Sequence, residues 1–123
     1  MPGSGAVLLV DDEALVRSST ADMLTELGYS VIEAESGEEA LRLLDQQSPI
    51  DFLVTDHLMP RMTGTQLIAE DRRKRPGLSV LIISGYSEAE GIDPLLSRLT
   101  KPFRQAELGQ CMAAIAASSA LHG

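Results

Sequence analysis

Acidic side chains follow two apolar segments of this 123-residue chain, at positions that could bind a cation and carry covalent chemistry. Asp11 and Asp12 come directly after the apolar run Ala6–Val10, and Asp56 comes directly after residues 52–55. Two carboxylates roughly 4 Å apart repel each other by about 4 kcal/mol at an effective dielectric near 20. Mg²⁺ prefers one or two carboxylates with water and phosphate oxygens, so it would relieve this repulsion. The acids therefore predict a magnesium site in which one carboxylate can act as a nucleophile.

Two further polar residues end later apolar segments. Ser84 closes the run at residues 79–83, and Lys101 follows the very short segment 99–100. A lysine can neutralise a phosphoryl oxygen, and a serine hydroxyl can donate a hydrogen bond to another. Beside a metal-bound carboxylate, these two groups predict an aspartyl phosphate on Asp56.

The segments that carry these residues are predicted to be strands that alternate with helices. Continuous apolar runs, unlike alternating ones, indicate strands that are covered on both faces, as in a parallel sheet. A strand–helix unit repeated five times predicts a parallel sheet with helices on both faces. Ligands of such sheets bind at the carboxyl ends of the strands, where all five polar residues are expected. The strands are predicted at residues 6–10, 30–34, 52–55, 79–83 and 99–100.

The helices are predicted from apolar residues at helical spacing and from end signals. Ser36 is expected to cap a helix that runs through Gln47, with Glu39 completing a capping box. The stretch 88–97 is interrupted by Gly91 and Pro94, so the fourth helix is predicted to be short or irregular. Helical spacing is also present at Val16, Thr20, Met23, Leu24 and Leu27, over residues 65–75, and at Leu108, Cys111, Met112 and Ile115.

Composition limits the classes of function. A formal net charge of −8 opposes direct binding to nucleic acid or to an anionic membrane surface. The single cysteine, Cys111, excludes an intrachain disulfide, and no apolar run reaches the ~18 residues that span a bilayer. Residues 1–5 lack the features of a signal peptide, so a cytoplasmic protein is predicted. We predict one domain at residues 6–117, between a leader at 1–5 and a tail at 118–123.

Four motifs together resemble the response-regulator receiver family, in which chemotaxis receivers are found. The resemblance covers residues 6 to about 117 and implies a flavodoxin-like sheet of strand order 2-1-3-4-5. It also implies a non-enzymatic phosphoacceptor that assists its own phosphorylation and dephosphorylation. The motifs are Val10-Asp11-Asp12-Glu13, Asp56-His57-Leu58-Met59-Pro60-Arg61-Met62-Thr63-Gly64, Ser84-Gly85 and Lys101-Pro102-Phe103.

The resemblance further implies a role for each of six residues and for partner proteins. The implied cofactor is Mg²⁺, the implied phosphodonor is a sensor histidine kinase or a histidine phosphotransfer protein, and an unidentified output protein would read the result. The implied residues are Asp56 as phosphoacceptor, Asp12 as direct metal ligand, Asp11 as holder of a metal-bound water, Leu58 as metal ligand through its backbone carbonyl, and Lys101 and Ser84 as phosphoryl-binding groups.

Two positions depart from the pattern of the family. Arg98 stands where an aromatic residue often reports phosphorylation, and the segment from Ser84 to Lys101 is short. Pro76-Gly77-Leu78 and Ile83-Ser84-Gly85-Tyr86 resemble receivers attached to hybrid sensor histidine kinases. A receiver excised from such a kinase is therefore one alternative.

A second alternative is a metal-dependent phosphohydrolase of similar fold with Asp56 as nucleophile. Such enzymes usually carry a second acid two residues later, where this chain has Leu58. Simpler interpretations also exist for single motifs. Asp11 and Asp12 could serve merely as caps of the first helix. His57 is expected to be a solvent-facing loop residue, and the basic run at residues 72–75 is expected to be a solvated helix end.

Overall fold

A computed structural model describes residues 4–46, 49–85 and 91–122 of the chain, with the backbone alone for residues 119–122. The described residues form five strands and four helices. The final helix reaches His122 and so includes most of the segment that was predicted as a tail. In chain order the elements are β1 (Ala6–Val10), α1 (Ala14–Glu26), β2 (Ser30–Ala34), α2 (Gly37–Gln46), β3 (Phe52–Asp56), α3 (Gly64–Arg72), β4 (Ser79–Ser84), β5 (Arg98–Thr100) and α4 (Gln105–His122).

The strands form one parallel sheet in the order β2-β1-β3-β4-β5, which confirms the predicted topology. Asp56, the last residue of β3, lies opposite Ile83, and Ser84 lies opposite Thr100. Both polar residues are thus the final residues of their strands, one position further inside the sheet than predicted. This register brings the carboxyl ends of β1, β3 and β4 to one edge of the sheet.

Apolar side chains of each central strand pack on both faces of the sheet. In β1, Leu9 belongs to a cluster that includes Leu24 of α1 and Met112 of α4. The neighbouring Leu8 belongs to a second cluster that includes Leu67 of α3 and Leu44 of α2. The continuous apolar runs therefore reflect a sheet covered by two helices on each face, as predicted.

The connection from β4 to β5 differs from the other crossovers. Over residues 91–97 the described backbone forms turns rather than a helix, and residues 86–90 lie outside the described part. Ile92 and Leu96 pack against the cluster on the α2 and α3 face. Gly91 adopts a positive φ of 85°, a conformation that interrupts a helix. Among the described residues, the fourth strand is therefore not followed by a helix, so the prediction of five strand–helix units is wrong at this point. The predicted irregularity of this segment is present.

Side-chain caps define the beginnings of α2 and α3. Ser36 Oγ accepts the Glu39 N–H at 3.1 Å, as predicted. The Glu39 carboxylate accepts the N–H of Glu35 at 2.8 Å instead of that of Ser36, so the reciprocal half of the predicted capping box is wrong. The predicted end of this helix at Gln47 falls outside the described residues. Thr63 and Gln66 form a complete capping box, so α3 begins at Gly64 and anchors the loop that follows β3.

Candidate functional site

Three carboxylates meet at the carboxyl edge of the sheet. Asp11 follows β1, Asp12 is next to it, and Asp56 ends β3; each offers an oxygen within 4.8 Å of the other two. Asp11 and Asp56 are buried, at 5% and 4% exposure, whereas Asp12 is exposed. We call these three residues the acid cluster. The sequence predicted this convergence from strand ends alone.

Asp11 is held in place through its backbone and its side chain. Its N–H donates to the Ala34 carbonyl of β2 at 3.1 Å, and its Oδ1 accepts the Glu13 N–H at 2.9 Å. Its carbonyl accepts a hydrogen bond from Arg17 Nη1 at 2.7 Å. One side-chain oxygen therefore binds the backbone N–H of Glu13, the residue that precedes α1, and Asp11 is also a member of the acid cluster.

Burial raises the pKa of the Asp11 carboxyl above its ordinary value. The hydrogen bond from Glu13 and the positive charge of Lys101 act in the opposite direction, and the negative charge of Asp12 adds to the rise. Desolvation and like-charge repulsion both disfavour the ionised form of Asp11. A bound cation would remove both penalties.

Lys101 forms an ion pair with Asp56. Its Nζ lies 2.7 Å from Asp56 Oδ1, with the lysine side chain 28% exposed and the aspartate side chain 5% exposed. Its backbone N–H donates to the Ser84 carbonyl at 2.8 Å, which ties the residue after β5 to the end of β4. The predicted lysine and the predicted phosphoacceptor are thus in direct contact.

Ser84 is fully buried, at 0% exposure, at the end of β4. Within the described residues its Oγ makes no hydrogen bond. A buried polar group without a partner costs about 1–3 kcal/mol, so such groups are rare without a reason. A phosphoryl oxygen that accepts a hydrogen bond from this hydroxyl would supply the reason.

The loop after β3 is fixed by backbone hydrogen bonds and one close approach. The His57 N–H donates to the Ile83 carbonyl, and the Gly64 N–H donates to the His57 carbonyl, each at 2.8 Å. A Cβ at Gly64 would lie 2.2 Å from the Asp56 carbonyl oxygen, so glycine is required for this approach. Leu58 between them is 53% exposed.

His57 is buried, at 5% exposure, so the predicted solvent-facing position is wrong. Its Nδ1 lies 3.2 Å from Thr65 Oγ1 in the first turn of α3. The loop folds back because Gly64 bonds to the His57 carbonyl, and this fold carries the imidazole inward. The residue types gave no signal for this contact between a loop histidine and a threonine of α3.

Residues 72–74 of the basic run are exposed at the end of α3, as predicted for a solvated helix end, whereas Arg75 is partly buried. Arg75 pairs with the fully buried Asp71 and donates to the Leu44 carbonyl at 2.7 Å and to Asp45 at 2.9 Å. Lys74 also pairs with Asp45, at 3.4 Å. Lys74 and Arg75 therefore join the end of α3 to α2, at the end of α3 opposite the acid cluster.

The donor set of the site fits Mg²⁺ and a phosphoryl group. Carboxylate oxygens are the hard ligands that Mg²⁺ prefers, and three of them lie within 4.8 Å of one another. Lys101 and Ser84 provide a cation and a buried hydroxyl at the same edge of the sheet. The combination suits transfer of a phosphoryl group to a carboxylate.

A family model, the response regulator receiver domain, matches residues 7–113. Sensor kinase CckA of Brucella abortus (strain 2308) is 38% identical over 114 residues, which are 88% of this chain and 12% of that protein. Transcriptional regulatory protein GlrR of Escherichia coli (strain K12) is 36% identical over 86% of this chain and 25% of its own length. This chain thus spans a quarter or less of these two relatives.

Solved structures are similar over nearly their whole length. The receiver domain from hybrid histidine kinase CckA has a TM-score of 0.75 and 33% identity, over 90% of this chain and 98% of that one. A response regulator receiver protein from Sinorhizobium medicae WSM419 has a TM-score of 0.84 and 29% identity, over 94% and 97%. In the part of the chain described, no helix has the length and apolar character needed to cross a membrane. The sheet order, the acid cluster and these matches together establish that the chain belongs to the response regulator receiver domain family of two-component signalling systems.

Proposed function

We propose that this receiver accepts a phosphoryl group on Asp56, with Mg²⁺ held by the carboxylates of the acid cluster and the backbone carbonyl of Leu58. The observation that best supports this proposal is the environment of Asp56. Its buried carboxylate belongs to the acid cluster and lies 2.7 Å from Lys101. Asp12, the exposed member, is proposed as a direct metal ligand, and Asp11 as the holder of a metal-bound water. The donor is a phosphohistidine of a sensor histidine kinase or of a histidine phosphotransfer protein.

In the proposed step, one Asp56 oxygen forms a bond to phosphorus while the bond from phosphorus to the donor's imidazole nitrogen breaks. The electron pair of the broken bond stays on the imidazole. Mg²⁺, when bound, supplies positive charge that reduces repulsion between the carboxylate and the phosphoryl oxygens. Lys101 neutralises one phosphoryl oxygen, and the Ser84 hydroxyl donates to another. The chain acts as phosphoacceptor and needs no further catalytic group.

The conformational response is proposed to pass through the contact between Lys101 and Ser84. The Lys101 N–H already bonds to the Ser84 carbonyl, so the residue that ends β4 is tied to the residue that follows β5. Arg98 on this segment is exposed and replaces the aromatic residue common in the family. Phosphorylation is therefore proposed to raise the amide protection of residues 85–98 and to present that surface to an output protein.

A second candidate is that the chain works as the receiver of a hybrid histidine kinase. The identity to sensor kinase CckA and the similarity to the receiver of a hybrid kinase support it. It predicts preferential exchange with a histidine phosphotransfer protein, measured by incubating the chain with phosphorylated kinases and phosphotransfer proteins in parallel. In either case we propose a domain at residues 6–117 and a cytoplasmic location. We also propose that the chain does not bind nucleic acid or membranes directly, since its net charge is −8.

The test is intact-mass spectrometry after incubation with acetyl phosphate or phosphoramidate and Mg²⁺. One phosphoryl group should be added, and the addition should be absent with a chelator and in Asp56→Asn. Full labelling of Asp56→Asn would overturn the assignment of the acceptor. Full labelling with the chelator present would overturn the metal requirement.

A further inference from the structure

Arg17 of α1 joins two elements beside the acid cluster. Its Nη1 donates to the Asp11 carbonyl at 2.7 Å, and its Nε donates to Glu33 Oε1 of β2 at 3.0 Å. The arginine side chain is only 16% exposed, whereas the Glu33 side chain is 44% exposed. An ion pair with one half-exposed partner generally contributes little to stability. The burial of the Arg17 side chain is therefore better explained by its hydrogen bond to the Asp11 carbonyl.

The carbonyl of Asp11 governs where Asp12 lies. The Asp11 N–H is fixed by Ala34 and its side chain by Glu13, and the Arg17 bond fixes its carbonyl. A peptide unit is planar, so the Asp11 carbonyl and the N and Cα of Asp12 move as one body. The direction of the Asp11 carbonyl therefore sets the direction in which the Asp12 residue leaves the strand.

We infer that Arg17 is a positioning residue for the metal site, which orients the Asp11–Asp12 peptide so that both carboxylates converge on Asp56. The inference rests on the proposed function, because it supposes that the acid cluster binds Mg²⁺. An arginine suits the task since its planar fork presents two donors in fixed geometry, one for Glu33 and one for the carbonyl. A lysine keeps the charge but has a single ammonium for the two acceptors.

Charge and position predict opposite effects of removing Arg17. Loss of one positive charge takes the net charge from −8 to −9, and Coulomb attraction alone would then tighten cation binding. Loss of a positioning contact weakens binding because the carboxylates no longer converge. Outer partners of metal ligands typically contribute about 10–100-fold in affinity, and we expect about tenfold for Arg17→Ala.

The experiment is calorimetric titration of Mg²⁺ into the whole chain and three variants. Arg17→Ala removes the contact, Arg17→Lys retains the charge, and Arg73→Ala removes the same charge from the exposed pair with Glu70 at the far end of α3. We expect the affinity for Mg²⁺ to fall from wild type to Arg17→Lys and further to Arg17→Ala. The affinity of Arg73→Ala should equal that of wild type or be slightly tighter. Thermal unfolding in chelator shows whether each variant is folded.

An Arg17→Ala affinity equal to or tighter than that of wild type, in a folded variant, would overturn the inference and leave the metal site standing. Absence of saturable Mg²⁺ binding by the wild type would instead overturn the proposed function, and this inference with it. If Arg17→Ala does not fold, Arg17→Lys decides, since an unchanged affinity there refutes the need for the fork. A double-mutant cycle of Arg17→Ala and Glu33→Ala tests the bridge itself. Glu33→Ala should cause less loss in the Arg17→Ala background than in the wild type, because the bridge is already gone; full additivity would contradict the bridge.

Discussion

Gly64→Ala should damage both stability and phosphorylation, because the added methyl group has no room beside the phosphoacceptor. The ideal Cβ lies 2.2 Å from the Asp56 carbonyl oxygen and 3.1 Å from its carbonyl carbon. Restoring a contact of 3.0 Å requires the two atoms to separate by about 0.8 Å. Both partners are backbone-attached, so no flexible side chain can give way.

The expected magnitudes follow from that displacement. Forcing extra atoms into a packed region typically costs about 1–3 kcal/mol of unfolding free energy. The moved carbonyl belongs to the reacting residue, and misplacement by about 1 Å can slow a reaction about 100-fold. Helix propensity acts in the opposite direction, since alanine is favoured over glycine by about 1 kcal/mol within a helix. A net loss of stability would therefore identify the clash as its cause.

The assay combines urea unfolding with the rate of phosphorylation by phosphoramidate and Mg²⁺. Gly77→Ala is the matched control, because a Cβ at Gly77 meets nothing within 4 Å. Gly64→Ala should unfold at lower urea and phosphorylate about 10–100-fold more slowly, whereas Gly77→Ala should match wild type. Equal behaviour of the two variants would refute the geometry of the loop after β3.

Three further predictions concern the site and the network at the other end of α3. Asp12→Asn should weaken Mg²⁺ binding more than Asp11→Asn, because direct ligation is proposed for Asp12; titrations in the reverse order would contradict this. Lys101→Ala should remain folded yet lose the protection that beryllofluoride induces in amides of residues 85–98; retained protection would exclude the lysine as sensor. Hydrogen bonds from Arg75 and Lys74 hold the pKa of Asp45 below its ordinary value of 3.8. Stability from Asp45 is thus present above pH 3.8 and lost as the pH falls through the depressed pKa, so the melting temperatures of wild type and Asp45→Asn should converge in acid.

The meeting of distant polar residues could be predicted from the sequence because parallel strands impose it. Once apolar runs are assigned to one sheet, the residues at their carboxyl ends share an edge whatever their separation along the chain. Asp11, Asp56, Ser84 and Lys101 illustrate this: their spacing varies, yet each follows or ends a strand. The continuous apolar runs likewise predicted that the sheet is covered on both faces.

Contacts between side chains and backbone carbonyls could not be predicted in the same way. Arg17 bonds to a carbonyl, and every residue has one, so residue types carry no signal for the pairing. Arg75 binds a carbonyl and a carboxylate about 30 positions away on α2, which a local charge pattern cannot reveal. His57 is buried by the fold of its loop rather than by its own polarity.

The segment between β4 and β5 shows where pattern and structure agree for a simple reason. Gly91 and Pro94 oppose a regular helix, and the described residues 91–97 form turns. Two apolar side chains, Ile92 and Leu96, still cover the sheet in place of a helix. The irregular connection therefore retains core packing, a function that composition alone did not assign to it.

The central claim is that Asp56 itself carries the phosphoryl group. Borohydride reduces an acyl phosphate to an alcohol, so reduction of the phosphorylated chain converts the acceptor aspartate into homoserine. Peptide mass mapping should then locate homoserine at position 56, only in samples that received phosphodonor and Mg²⁺. Homoserine at position 11 or 12, or at any other acid, would contradict the account.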